Sequence, residues 1–177
     1  AKKWGEITAR DIKILHFVFE HRAVSFSQIA NRFFYGASIP TVYIRLNKLG
    51  KSGFLSKTFV LWKEKRHTVF SITEKGIKQI ADSFPYKLTD PDFKSDSVNH
   101  DLGIVDLRTR LEKTKMLTEY FSESMLQSCG QFAENEKLAA FVRANSDAAL
   151  SIQTPKNKFY AALEYEISDK LESRYAK

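Results

Sequence analysis

From Thr8 to Lys51 the apolar residues recur at helical spacing, and from Phe54 to Thr73 the spacing changes to that of extended chain. Ile12, Leu15, Phe17, Val18 and Phe19 predict the buried side of a first helix. It opens at Thr8 as cap, carries Asp11 three residues later and ends at His21-Arg22. Ile29 and Phe33 predict a second helix within Val24 to Phe34, capped by Ser25 or Ser27. Tyr35-Gly36-Ala37 reads as a short turn. A third helix follows Ser38 as cap and Pro40 in the first turn, with Val42, Leu46 and Leu49 on one face and Gly53 as the stop. Phe54 to Trp62 and His67 to Thr73 read as two strands around the polar turn Lys63-Glu64-Lys65-Arg66. Thr73-Glu74-Lys75-Gly76 then caps a helix from Ile77 to Phe84.

The second half has a different rhythm. Residues 85–98, with two prolines and several Asp and Ser, read as a linker. A helix from Asn99 to about Lys113 carries Leu102, Val105, Leu107 and Leu111. Leu117 to Leu126 reads as a strand, and Glu134 to Phe141 as a short helix or turn. Ala148 to Ile152 and Phe159 to Ile167 read as strands joined by the turn Thr154 to Lys158. Ser168 or Asp169 caps a last helix. The expected fold class is α+β: helix-turn-helix with a β-hairpin wing over 1–84, and a small α/β domain over 99–177.

Charge sharpens this division. Residues 1–90 carry 16 Lys and Arg against 7 Asp and Glu, a balance of +9, whereas residues 91–177 carry 12 against 14, a balance of −2. A basic half beside a near-neutral half points to a polyanion partner for the first half alone. The outer face of the third helix offers Thr41, Tyr43, Ile44 and Asn47 for base edges. Arg32, Lys48, Lys51, Lys63, Lys65 and Arg66, with His67 beside them at the hairpin tip, are expected at the phosphates. Arg45 borders the apolar stripe, and helical geometry leaves open whether it meets DNA or pairs internally. The expected partner is double-stranded DNA, bound by a homodimer in the manner of a sequence-specific regulator.

Cys129 is the single cysteine, so no disulfide forms within the chain, and a reducing, cytoplasmic setting is expected. No apolar segment after Ala1 to Glu6 reads as a signal peptide, and no run approaches membrane-spanning length. The chain opens without Met and stops inside a helix-like pattern, as a trimmed chain would. His16 and His21 lack a Cys or second carboxylate at ligand spacing and read as surface or boundary residues.

Asp147, Glu164 and Glu166, with Lys170 beyond them, form the one acidic pattern of note. Period-2 spacing would set Glu164 and Glu166 on one strand face, and converging carboxylates bind Mg²⁺. The arrangement resembles the Asp…Glu-x-Lys pattern of restriction-endonuclease-like nucleases in degenerate form. Glu166 stands at the lysine position, and Ser146 replaces the usual proline. Solvated charges on an open sheet face account for the same residues. The expectation is therefore no metal or cofactor and no catalytic residues, with a Mg²⁺-dependent nickase built on Asp147, Glu164, Glu166 and Lys170 as the alternative. An interaction module is a further one.

Several short pieces together resemble the replication-relaxation family of plasmid and mobile-element proteins. They are Thr8 to Leu15, Arg45-Leu46-Asn47-Lys48-Leu49 followed by Gly53, Ile72 to Gly76, His100-Asp101-Leu102, Ser146-Asp147-Ala148 and Leu163-Glu164-Tyr165-Glu166. The resemblance implies a bacterial winged-helix DNA-binding protein connected with plasmid replication or its control.

Overall fold

Side-chain caps fix where the helices begin. In the computed structural model, which describes residues 6–167, Thr8 and Asp11 form a reciprocal capping box at the start of α1 (Ala9–His21). Ser25 and Gln28 form another at α2 (Phe26–Phe33). Ser25 is thus the cap, and Val24–Ser25 before it is a two-residue strand, β1, rather than the first turn of the helix. Ser38 caps α3 (Ile39–Lys51), with Pro40 in its first turn. Gly53 takes φ +79°, and the Phe54 N–H returns to the Leu49 carbonyl, so the helix stops where glycine permits a left-handed turn.

β2 (Leu55–Trp62) and β3 (Lys65–Ile72) form an antiparallel hairpin, and β1 adds to the other edge of β3. The turn is tighter than the four-residue one expected. Lys63 and Glu64 alone make it, both at positive φ (48° and 62°), and Lys65 and Arg66 already belong to β3. α4 (Glu74–Ile80), capped by Thr73, ends in a short 3-10 turn at Ala81–Ser83.

Residues 85–98 contain no helix or strand until α5 (Val98–Lys113) begins, but they are pinned to the rest of the chain. The Thr89 N–H donates to the Ser128 carbonyl, the Asp92 N–H to Ser128 Oγ, and Ser124 Oγ to the Asp92 carbonyl. Tyr86 packs edge-on against Phe132. Then come β4 (Leu117–Ser122), α6 (Glu123–Ser128), a 3-10 turn at Gly130–Phe132, α7 (Ala139–Ala144), β5 (Ala148–Gln153) and β6 (Lys158–Leu163). The expected strand from Leu117 to Leu126 therefore breaks halfway. Ser122 caps a helix there by accepting from the Met125 N–H, and a cap turns the backbone out of the sheet. β4, β5 and β6 form a second antiparallel sheet in that order.

The fold is α+β with two small antiparallel sheets. One buried apolar cluster runs through both halves, from Ile14, Phe19, Leu46 and Phe70 to Phe121, Leu126 and Ala149. Cys129 is buried within it, and burial pushes its thiol up to about 11. His21 is buried as well, not at the surface. It packs on Phe17 and accepts from Arg108, and burial, aided by the Arg108 charge, holds it neutral. Among the described residues no helix is long and apolar enough to cross a membrane.

Gly103 in α5 meets the Tyr165 ring. A Cβ there would stand 2.2 Å from Tyr165 Cε1. Gly103→Ala is expected to lower stability by about 1 kcal/mol, the cost of a crowded core position. In a Tyr165→Ala background the same change should cost nothing, and a loss of equal size in both backgrounds, read by thermal denaturation, refutes the contact.

Candidate nucleic-acid interface

The surface most suited to a polyanion begins in the charge order of the chain. Between Glu20 and Glu64 there is no Asp or Glu, while seven Lys and Arg fall in that stretch. Four of the seven reach carboxylates elsewhere. Arg22 pairs with Asp92 and Glu123, both at 2.5 Å. Arg32 makes a forked pair with Glu112 on α5 and lies over the Phe17 ring. Arg45 makes a forked pair with the buried Asp11 carboxylate. Lys63 reaches Asp106 at 2.8 Å and covers Trp62. Lys51 and Lys57 stand exposed on α3 and β2, and Lys48 is half-exposed on α3.

Helix and hairpin meet along one side. On β2, the residues Leu55, Lys57, Phe59 and Leu61 share a face with their β3 partners Ile72, Phe70, Thr68 and Arg66. The near half of that face is core. The far half is open, with Phe59 and Leu61 exposed and the Arg66 guanidinium 4.3 Å from the Phe59 ring centre. Lys57 Nζ lies 5.7 Å from the centre of the Tyr43 ring on α3. Leu46, Asn47, Gly50 and Lys51 of α3 line a cleft with Leu55 and Lys57 of β2. A hydrogen bond with Asn47, and then the charge of Lys57, draw the Tyr43 hydroxyl below its usual pKa. Thr41, Tyr43 and Ile44 are exposed on α3, and Asn47 and Lys48 half-exposed.

The opposite hairpin face does not belong to this surface. Val60 and Trp62 pack with Val69 and Leu102, and His67 lies 5.2 Å from Trp62. Of the twelve DNA-contact candidates, Asn47 and Lys51 line the α3–β2 cleft and Tyr43 stands beside it near Lys57, while Thr41, Ile44 and Lys48 lie elsewhere on α3 and Arg66 covers Phe59 on the far half of the hairpin face. The structure engages Arg32, Arg45 and Lys63 with carboxylates, sets His67 against Trp62, and leaves Lys65 exposed on the other face. Lys57 was missed by sequence reasoning, although the period-2 rule would have put it level with Phe59 on the side of Leu55.

A second polar cluster is partly buried beside α5. His100 at the start of α5 donates to the Asp147 carboxylate at 3.3 Å and stands 3.6 Å from Asp101. Hydrogen bonds with Asp101 and Asp147 raise its pKa to about 10. The Tyr165 N–H also donates to Asp147, at 2.6 Å. Burial pushes the Asp147 carboxyl up, but His100 and that N–H outweigh it and hold it low. His100 was singled out only as part of a motif, because its two partners lie at positions 101 and 147.

The acidic pattern does not assemble as expected. β6 ends at Leu163, whose partner Ala148 is the first residue of β5, so Glu164 and Glu166 have no strand to alternate on. They flank Tyr165 in irregular chain, and both are exposed. Among the described residues no group of three or more His, Cys, Asp or Glu side chains could hold a metal ion. Lys170, and the last helix expected from Ser168 or Asp169, lie outside the described residues.

No family model, curated protein or solved structure matches this chain. The functional reading therefore rests on the α3–β2 surface itself.

Proposed function

We propose that this chain binds duplex DNA through a winged helix-turn-helix. α3 enters the major groove, the β2–β3 hairpin serves as the wing, and the bound site regulates transcription or plasmid replication. The observation that carries this reading is the shared surface of α3 and β2, where Lys57 meets Tyr43, Lys51 lines the same cleft and Arg66 lies further along the same hairpin face, with no acidic residue on α3, β2 or β3. A helix fits a major groove, and surrounding cations fix its register on phosphates. A homodimer would read two half-sites about one helical turn apart.

The test is a gel-shift titration against salt. Lys51→Ala and Arg66→Ala are each expected to weaken binding to all sequences alike and to reduce the salt slope by about 1. Tyr43→Ala is expected to change the preferred sequence instead. Unchanged affinity in all three variants removes this surface from consideration.

A further inference from the structure

The centre of the open face of α3 is apolar. Ile44 is 61% exposed and lies about opposite the buried Val42–Leu46–Leu49 stripe. Its helical neighbours, one turn either way, are Pro40 and Thr41 before it and Asn47 and Lys48 after it, and Lys51 stands two turns on. α3 has no acidic residue, and none stands on β2 or β3. An exposed isoleucine on a face that lacks carboxylates and carries Lys48 and Lys51 on its C-terminal side offers an anionic partner an apolar contact. In the major groove, base edges present one apolar group, the C5-methyl of thymine.

From this arrangement we infer that Ile44 reads a thymine methyl, so that the recognised site holds a thymine under the middle of α3. Thr41 and Asn47, on either side of Ile44, supply a hydroxyl and an amide to the neighbouring base edges. The inference rests on the DNA-binding reading and adds the base that is read.

Uracil differs from thymine only in lacking that methyl, and 5-methylcytosine adds it to cytosine at the same groove position. Fluorescence anisotropy is measured with alternating A·T duplexes containing thymine or uracil, and with alternating G·C duplexes containing cytosine or 5-methylcytosine. Thymine is expected to bind about fourfold more tightly than uracil for each methyl buried, and 5-methylcytosine more tightly than cytosine. Ile44→Ala should remove both differences while leaving the salt slope unchanged, since no charge is altered. Equal, salt-sensitive binding of the thymine and uracil duplexes overturns the methyl inference and leaves DNA binding standing. Absence of salt-sensitive binding to all four duplexes overturns both. If Ile44→Glu instead converts a dimer to a monomer in sedimentation, with the thymine preference intact, the face is an interface between copies and the inference falls.

Discussion

Arg45→Ala is expected to cost about 3 kcal/mol of folding stability, because it strands a buried carboxylate. Asp11 is fully buried, and Arg45 grips both of its oxygens from α3 while the Thr8 N–H and hydroxyl hold one of them from the cap of α1. Burial alone would raise the Asp11 pKa. The hydrogen bonds of Arg45, then of Thr8, outweigh it and bring the group below its ordinary 3.8. A carboxylate with a depressed folded pKa contributes stability above its unfolded pKa and loses it as pH falls through the folded value. The parent and Arg45→Ala denaturation curves should therefore differ fully at neutral pH and draw together in strong acid. On the proposed DNA-binding reading, and under conditions where the variant stays folded, its salt slope should match the parent, since the Arg45 guanidinium is engaged by Asp11 and holds α3 to α1. A drop in the slope with little loss of stability would reverse that assignment.

What could be read from the chain divides by distance along it. The caps at Thr8, Ser25, Ser38 and Thr73 act on amides three residues away, so local pattern located the starts at Thr8 and Ser38 and narrowed the second cap to Ser25 or Ser27, but it began the fourth helix at Ile77 where α4 begins at Glu74. The hairpin was legible for the same reason, but which side chains share a face was not, so Lys57 was passed over and Lys65 and His67 were grouped with Arg66. Arg45 was not, because its partner Asp11 lies 34 residues earlier and helical geometry says nothing about it. Residues 85–98 have the composition of a solvated linker. Their fixed path comes from Tyr86, Thr89 and Asp92 meeting α6 and the turn after it, residues some 32 to 46 positions on. The switch from β4 to α6 turned on one serine hydroxyl inside an apolar run that also suits a strand. Four of the seven cations between Glu20 and Glu64 proved to be structural, yet the bias that revealed the surface survives in Lys51, Lys57 and Arg66.

His100→Gln is expected to lower stability by about 2 kcal/mol near pH 6, less than the full shift in pKa implies because the imidazole is 22% exposed. The unfolded imidazole titrates near 6.5 and the folded one near 10. The imidazolium thus contributes fully below about 6.5, and the contribution drains away as the folded protein keeps a proton that the unfolded chain has lost. The gap between parent and variant should be widest just below pH 6.5, shrink steadily through pH 8 and 9, and close near 10. NMR titration of the ring gives the direct check. The contact joins three segments distant in sequence: the first turn of α5, the residue before β5, and the chain after β6 that seats Tyr165 on Gly103. Loss of the proton should loosen that junction first, so amide exchange at Tyr165 should accelerate in alkaline solution before the α1–α3 core opens. A ring that titrates near 6.5, or a gap indifferent to pH, would mean that His100 fills space there and that its charge binds nothing together.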